Sequence, residues 1–352
     1  MNNQDLPKKL AIYIPRFFNG GIERSFLNLA AVLSEKGIKV SFVVNQVGFE
    51  NLASQRSQSV DLVNLEVSNF WERPLRLKRY IEREKPDTLL AAFHYTGEVA
   101  IVTKLLTQVP IRVVVSVHTS ISIESNRYQI FSSRYWVPTV MRILYPFADQ
   151  IIAVSKGVAK DVSNVTRLPL EKITTIYNPV LTTDFFRKLA EPIDHCWFKT
   201  EETPVFLSVG RLEPQKNYAN LITAFAKLRE QYVARLMILG VGSEKKKLEK
   251  LVQQFSIEDD VLMPGYMANP YPYMAKAKAF VLSSDFEGLS NVLIEALAAG
   301  TNVISTNCPS GPEEVLNYGK HGLLVPVGDS DKLAEGMLRT LKGENFKLNN
   351  LE

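Results

Sequence analysis

Short β-branched runs alternate with longer amphipathic stretches along most of the chain. In the first half "LAIYIP", "KVSFVVN", "TLLAAF", "RVVVSVH" and "QIIAVS" have strand length and nearly continuous apolar character, with helix-like segments such as "GIERSFLNLAAVLSEKG" between them. Strands of that kind are buried on both faces, so the alternation predicts an α/β protein with a parallel sheet covered by helices on both sides. After "ITTIYNPV" the pattern gives way to a polar, proline-containing stretch. A second series then begins with "VFLSVG", "ARLMILG", "VLMPGY", "AFVLSS", "NVISTN" and "GLLVPV". The economical reading is two Rossmann-like, doubly wound domains, residues 1–180 and 204–352, joined by a linker over 181–203. Ligands of such sheets bind beyond the carboxyl ends of the strands, so a cleft between the two halves is where chemistry is expected.

Composition narrows the class. A chain of 352 residues is long for one core, and 46 % hydrophobic with 22 % charged residues marks a globular protein and excludes a disordered or fibrous one. The apolar runs fall far short of the roughly 20 residues that span a bilayer. The start "MNNQDLPKKL" lacks the apolar region of a signal peptide, so a cytoplasmic location is expected. The two cysteines, Cys196 and Cys308, fit a reducing compartment and offer no zinc pattern. His94, His118, His195 and His321 show no metal-ligand spacing, and no metal is expected. A net charge of +4 does not by itself argue for nucleic acid.

The second half carries the sharper chemistry. In "VFLSVGRLEPQKNYANLITAFAKL" a strand ending at Gly210 leads into a loop with Arg211 and Lys216, just before a helix. Two cations beside a helix N-terminus make an anion site, because fixed N–H groups and side-chain charge converge. Solvated loop charges are the alternative. Gly240 and Gly242 in "RLMILGVGSEKKKLEKL" mark another strand-to-helix turn, but Ser243, Glu244 and Lys245 follow where a dinucleotide fingerprint needs a third glycine. A close approach of nucleotide to backbone and a plain turn both remain open there.

"DFEGLSNVLIEALAAG" places Glu287 and Glu295 with seven residues between them. Glu287 falls in a loop just before a helix, where the dipole alone would favour it. Glu295 falls inside a helix with almost no other polar face. A carboxylate there is costly to bury without hydroxyl or N–H partners, and sugar and ribose hydroxyls are such partners.

The ordered set of Glu287 and Glu295 in E-x7-E spacing, "GRLEPQKN", "CPSGPEEVL", "NGGIERSFLNLA", "SVHTS" and "AVSKGVAKDV…ITTIYNPV" resembles the retaining, nucleotide-sugar-dependent glycosyltransferases of family 4, which have the GT-B fold. The resemblance covers nearly the whole chain and is nearest to enzymes assembling bacterial surface glycans and lipid-linked oligosaccharides. It implies transfer of a hexose or N-acetylhexosamine from a nucleotide-sugar, UDP-sugar favoured, to a glycan or lipid-linked acceptor, without metal or other cofactor. It further implies that Glu287 meets the donor sugar hydroxyls and Glu295 the ribose. Arg211 and Lys216 would bind the diphosphate beside Gly210, Gly240 and the backbone amides of Gly288, Leu289, Ser290 and Asn291. Gly20 and Gly21 match the loop that admits diphosphate and acceptor closely, and His118 matches the active-site histidine. The competing readings are a sugar-nucleotide epimerase or phosphorylase on the same fold, and a noncatalytic membrane- or nucleic-acid-binding module.

Three further stretches bear on this reading. Asp329 and Asp331 form a D-x-D, read as a helix N-cap with an acidic first turn and not as a metal site. The chain ends at "KGENFKLNNLE" where relatives continue with further helices, so truncation is expected, with "LE" as a cloning scar. "NRYQIFSSRYWVPTVMRILYPF" interleaves Arg127, Arg134 and Arg142 with Trp136 and other aromatics, and "RPLRLKRYIEREK" adds a second basic helix. Such a segment seats a helix at an anionic membrane surface, here the inner face of the cytoplasmic membrane, or packs its aromatics on the domain.

Overall fold

The computed structural model describes residues 7–16, 20–47, 60–199 and 202–346. Leu351 and Glu352, and with them the expected scar, lie outside the described residues. The chain divides into two compact units, Met1–Pro179 and Val180–Glu352.

In the first unit, β1 (Lys9–Ile14), β2 (Lys39–Val44), β3 (Asp61–Asn64), β4 (Thr88–Ala91), β5 (Arg112–Val117), β6 (Gln150–Ala153) and β7 (Ile173–Thr175) form one parallel sheet in the order β3-β2-β1-β4-β5-β6-β7. Helices α1 (Gly21–Glu35), α2 (Arg73–Glu84), α3 (His94–Leu106), α4 (Ile121–Asn126), α5 (Val137–Leu144) and α6 (Lys156–Thr166) connect the strands. Side chains alternate across a strand, so one face of β1 sends Leu10, Ile12 and Ile14 against Phe26, Val40, Phe42 and Leu90. The other face buries Ala11 and Tyr13. This two-sided burial is why the strands read as continuous apolar runs. β3 escapes that signal because it is an edge strand whose ends, Asp61 and Asn64, are exposed.

The second unit repeats the plan. β8 (Val205–Val209), β9 (Arg235–Leu239), β10 (Val261–Gly265), β11 (Ala279–Leu282), β12 (Val303–Thr306) and β13 (Leu323–Val325) form a parallel sheet in the order β10-β9-β8-β11-β12-β13. Its helices are α7 (Phe185–Leu189), α8 (Tyr218–Arg229), α9 (Lys245–Gln254), α10 (Tyr271–Lys276), α11 (Asn291–Ala298), α12 (Pro312–Val315) and α13 (Ser330–Leu341). Residues 181–203, expected as a linker, supply α7 and core contacts. Phe185 is buried against Tyr271 with ring centroids 4.7 Å apart, and Trp197 and Phe198 pack on the same cluster. Three aromatics in a polar-looking stretch are enough to anchor it.

Asp329 caps α13 by accepting the Lys332 amide at 2.9 Å, and Asp331 pairs with Lys227 at 2.7 Å. Residues 126–147 do not form one helix. The chain leaves α4 at Asn126, crosses a loop and a 3-10 turn over Ser133–Trp136, and enters α5 with Pro138 in its first turn. Pro146 sits in the 3-10 turn that follows. Proline fits the first turn of a helix and not its interior, which is why the segment breaks there. No helix among the described residues is long and apolar enough to cross a membrane.

The contact of α3 with β5 depends on Gly97, where a Cβ would lie 2.4 Å from Val115 Cγ1. Gly97→Ala is therefore expected to lower stability by about 1–3 kcal/mol through overpacking, despite alanine's better helix propensity. A denaturant titration of parent and variant measures this.

Candidate functional site

In each sheet the strand order reverses beside the first strand of the unit, between β1 and β4 and between β8 and β11. Arg211, Lys216 and Glu287 lie in the loops that leave the carboxyl ends of β8 and β11, where a doubly wound sheet leaves room for a ligand, and Gly20 and His118 lie beyond the carboxyl ends of β1 and β5.

In the second unit the β8–α8 loop and the β11–α11 loop are tied together residue by residue. The Asp285 amide donates to the Gln215 carbonyl at 2.9 Å, and Gln215 Nε2 donates to the Phe286 carbonyl at 2.8 Å. Ser283 Oγ donates to the Lys216 carbonyl at 2.8 Å, and Asn217 Nδ2 donates to Asp285 Oδ1 at 2.7 Å. Asn217, with left-handed backbone, also caps α8. The result is a fixed frame around one ion pair, Lys216 Nζ to Glu287 Oε1 at 2.6 Å. Ser284 Oγ donates to the same oxygen at 2.6 Å. Glu287 is only 6 % exposed, so a favourable helix dipole is not the whole account of its position. Arg211 is exposed, and no ion pair or hydrogen bond holds its guanidinium among the described residues.

Around this pair stand residues that pattern alone did not single out. Tyr218 is buried beside Gly210, whose absent Cβ would lie 2.8 Å from the tyrosine hydroxyl. Burial pushes the Tyr218 hydroxyl and the Cys308 thiol up, with the Glu287 charge acting in the same direction on both. Serine, asparagine and tyrosine at strand ends carry no spacing signature of their own, so only the fold brings Ser284, Asn217 and Tyr218 to the site.

Glu295 lies inside α11, 7 % exposed, and Tyr271 donates to its Oε1 at 3.2 Å. Glu295 is thus a buried carboxylate and not part of a solvent-facing helix surface. α11 starts at Asn291, later than the apolar pattern implies, because Ser290 takes a left-handed conformation with φ 66°. Gly288, Leu289 and Ser290 therefore form the turn before the helix, and only Asn291 belongs to its first turn. Gly240 and Gly242 answer the question the sequence left open. A Cβ at Gly240 would stand 1.9 Å from the Gly210 carbonyl oxygen, and one at Gly242 2.3 Å from that of Leu212. The loop after β9 packs directly on the loop after β8, and the glycines are there for that approach.

In the first unit Gly20 is the N-cap of α1 and Gly21 its first residue. The Glu23 carboxylate folds back over Gly20, 2.5 Å from where a Cβ would be. His118 follows β5, with Nε2 2.9 Å from Ser116 Oγ and the ring edge-on to Phe26 at 5.5 Å. Its Nδ1 is enclosed without a partner, and burial pushes its pKa down to about 3. The group is a neutral imidazole. Arg134 lies over the Tyr128 ring at 5.0 Å, Trp136 Nε1 donates to the Ile130 carbonyl at 3.0 Å, and Arg142 Nε reaches the Val165 carbonyl at 3.4 Å. Arg127 is exposed.

A histidine whose folded pKa is depressed binds its proton more readily in the unfolded chain. The stability this contributes is complete above about 6.5 and is lost as pH falls towards about 3. Melting temperatures recorded from pH 7.5 to 4 are expected to fall less steeply for His118→Gln than for the parent. His94, pushed down to about 4 by burial and Arg134, keeps part of the slope in both.

Comparison with known proteins agrees with this geometry. The family model "Glycosyltransferase Family 4" matches residues 19–184, and "Glycosyl transferases group 1" matches residues 193–350. The chain is 30 % identical to the N-acetylgalactosamine-N,N'-diacetylbacillosaminyl-diphospho-undecaprenol 4-alpha-N-acetylgalactosaminyltransferase of Campylobacter jejuni, over 97 % of this chain and 92 % of that one. It is 28 % identical to the lipopolysaccharide core biosynthesis glycosyltransferase LpsE of Rhizobium meliloti, over 92 % and 85 %. Among solved structures, Anabaena HepE in complex with UDP and glucose superposes with a TM-score of 0.75 at 18 % identity, covering 96 % of this chain and 90 % of that one. The galactosyltransferase WaaB matches with a TM-score of 0.69 at 21 % identity, covering 96 % and 91 %. With two parallel-sheet domains of the GT-B type, the two family models matched in succession and a 30 % identical relative aligned over nearly the whole chain, this chain belongs to the family 4 glycosyltransferases.

Proposed function

We propose that this glycosyltransferase moves a hexose or N-acetylhexosamine from a UDP-sugar to a lipid-linked or glycan acceptor, with retention at the anomeric carbon and without a metal ion. The observation that carries the reading is the Lys216–Glu287 pair, framed at the switch point of the second sheet, with Arg211 exposed in the same β8–α8 loop and unpaired among the described residues. Glu287 Oε1 takes both Lys216 and Ser284, which leaves Oε2 to accept sugar hydroxyls. Lys216 has N–H donors beyond the one given to Glu287, and Arg211 offers a planar fork suited to phosphate. UDP is favoured because a neighbour of the same fold, HepE, was solved with UDP-glucose, and a lipid-linked acceptor because the Campylobacter relative is named for one.

The reaction follows from these parts. The acceptor oxygen bonds to the anomeric carbon as the bond to the diphosphate breaks, on the same face, through an oxocarbenium-like state. The acceptor proton passes to an oxygen of the departing diphosphate, whose growing charge Arg211 and Lys216 stabilise. Glu287, held by a cation and a hydroxyl, binds and does not attack. His118 is neutral and contributes hydrogen bonding, not charge. Each of Arg211→Ala, Lys216→Ala and Glu287→Gln is expected to lower kcat/KM by about 2–4 kcal/mol of transition-state stabilisation while the protein stays folded. Turnover is expected to survive EDTA. A radiolabelled UDP-sugar transfer assay with circular dichroism of each variant checks both, and complete loss with EDTA restored by manganese overturns the metal-free reading.

The enzyme is further proposed to work at the cytoplasmic face of an anionic membrane through its first unit. Phe131 is 96 % exposed, and Ile130, Tyr135, Trp136, Ile143 and Phe147 are exposed as well, with Arg127, Arg134 and Arg142 among them. Exposed aromatics interleaved with cations suit a lipid headgroup layer, each cation adding on the order of 1 kcal/mol. Only Tyr145 of this stretch is an ordinary core aromatic. Replacing Arg127, Arg134 and Arg142 together by Ser is expected to release the protein from acidic vesicles in cosedimentation at low salt without changing UDP-sugar affinity.

A further inference from the structure

Two side chains at the carboxyl end of the first sheet hold N–H groups that nothing satisfies among the described residues. Asn45 directly follows β2 and is 4 % exposed. Its Oδ1 accepts the Tyr13 hydroxyl at 2.7 Å, which fixes the amide so that Nδ2 is the free end, enclosed and without a partner. Arg73 opens α2 with its guanidinium over the Phe70 ring at 5.1 Å, and its Nε is likewise enclosed without a partner. No carboxylate pairs with Arg73 among the described residues. The Val67 amide donates to the Asn45 carbonyl at 2.8 Å, so the chain that leads into Arg73 passes beside Asn45, and the Tyr13 hydroxyl, raised by burial, is pulled back by the Asn45 bond and by the Arg73 charge. Tyr95, pushed up to about 12 by burial and by Glu23, is pulled back by Arg73 too. Tyr95 stacks on Phe93 at 5.5 Å, and Phe93 lies 6.2 Å from His118. Asn45, Tyr13, Arg73 and Tyr95 thus form one neighbourhood over the ends of β2, β1 and β4, reaching towards the histidine.

An enclosed donor without an acceptor is costly, and an enclosed part of a guanidinium without a counter-charge more so. Water satisfies an N–H but does not neutralise a cation. Amide Nδ2 and guanidinium Nε are donors only, so the group that completes them is an acceptor, and the charge asks for an anionic one. A phosphate oxygen meets both conditions.

We infer that Asn45 and Arg73 seat a phosphate group of a lipid-linked acceptor on the first unit. The inference rests on the reading of the acceptor given above. It assigns Arg73, in a helix otherwise read as membrane-facing, to recognition of the acceptor headgroup, with Asn45 as its neutral companion.

The test uses the full chain, with farnesyl diphosphate, farnesol and inorganic pyrophosphate as probes in calorimetric titrations. Arg73→Gln removes the cation. Asn45→Asp keeps the shape and the bond from Tyr13 but turns the donor into a charged acceptor. The parent is expected to bind farnesyl diphosphate at least tenfold more tightly than farnesol. Each variant is expected to lose at least tenfold of that affinity with UDP affinity unchanged, and Arg73→Lys, a milder change for folding, to lose less. Equal affinity of parent and variants for farnesyl diphosphate overturns the inference. So does a parent that prefers farnesol, or displacement of farnesyl diphosphate by UDP, which would put it in the donor site. Pyrophosphate binding as tight as farnesyl diphosphate binding overturns the lipid-linked source. These readouts are independent of turnover, so an enzyme inactive with every UDP-sugar would defeat the proposed reaction and leave this seat to stand or fall by itself.

Discussion

The second unit is organised around a buried ion pair that is poor at stabilising a fold and good at fixing a geometry. Burying an ammonium and a carboxylate costs several kcal/mol each, and their attraction offsets this only when the remaining hydrogen-bonding capacity is also met. Ser284 supplies one further bond to Glu287, and the two loops that carry the pair are stitched by Gln215, Asn217, Ser283 and Asp285. Replacing Lys216 and Glu287 by apolar residues would remove the cost and the frame's purpose together. The parallel sheet makes the meeting possible. β8 and β11 are neighbours although two strands intervene in sequence, so residues about seventy positions apart come to 2.6 Å.

Close backbone packing then determines which loops surround the pair. The loop after β9 lies directly on the loop after β8, so closely that neither Gly240 nor Gly242 has room for a methyl group. On the other side the Glu287 amide donates to the Pro309 carbonyl at 3.2 Å. Arg211 thereby keeps its backbone position while its side chain stays exposed. The arrangement separates two tasks, with a buried Lys216–Glu287 contact held in the frame and an exposed guanidinium at Arg211.

How much of this the sequence discloses depends on the kind of signal. Strands buried on both faces announce themselves, and every strand of the second sheet was visible as a run. The edge strand β3 was not, because Asp61 and Asn64 interrupt its apolar character. Glu287 and Glu295 stood out because a carboxylate in an apolar segment conflicts with burial, and that conflict is real in the structure. The partners that resolve it, Ser284 and Tyr271, are ordinary residues at positions no period marks. Gly240 was legible as a turn but not as a packing contact, since what it touches, Gly210, is thirty residues away. The composition of residues 181–203 does not disclose that aromatics of this stretch pack in the core. Phe185 and Trp197 are few among polar neighbours, yet they are what the core uses.

The first unit handles charge differently. His118 is kept neutral by desolvation, enclosed by Phe26 and Phe93, and cannot add positive charge near physiological pH. Positive charge at the strand ends of this unit comes instead from Arg73, which has no carboxylate partner among the described residues, in contrast to Lys216. A cation already matched by a carboxylate positions a ligand with little net attraction, whereas an unmatched one attracts an anion outright. Arg211 in the second unit and Arg73 in the first are both cations without a carboxylate partner among the described residues. In the reaction proposed above, the leaving diphosphate and the acceptor phosphate are both anionic, and each unit offers one of them an unmatched cation.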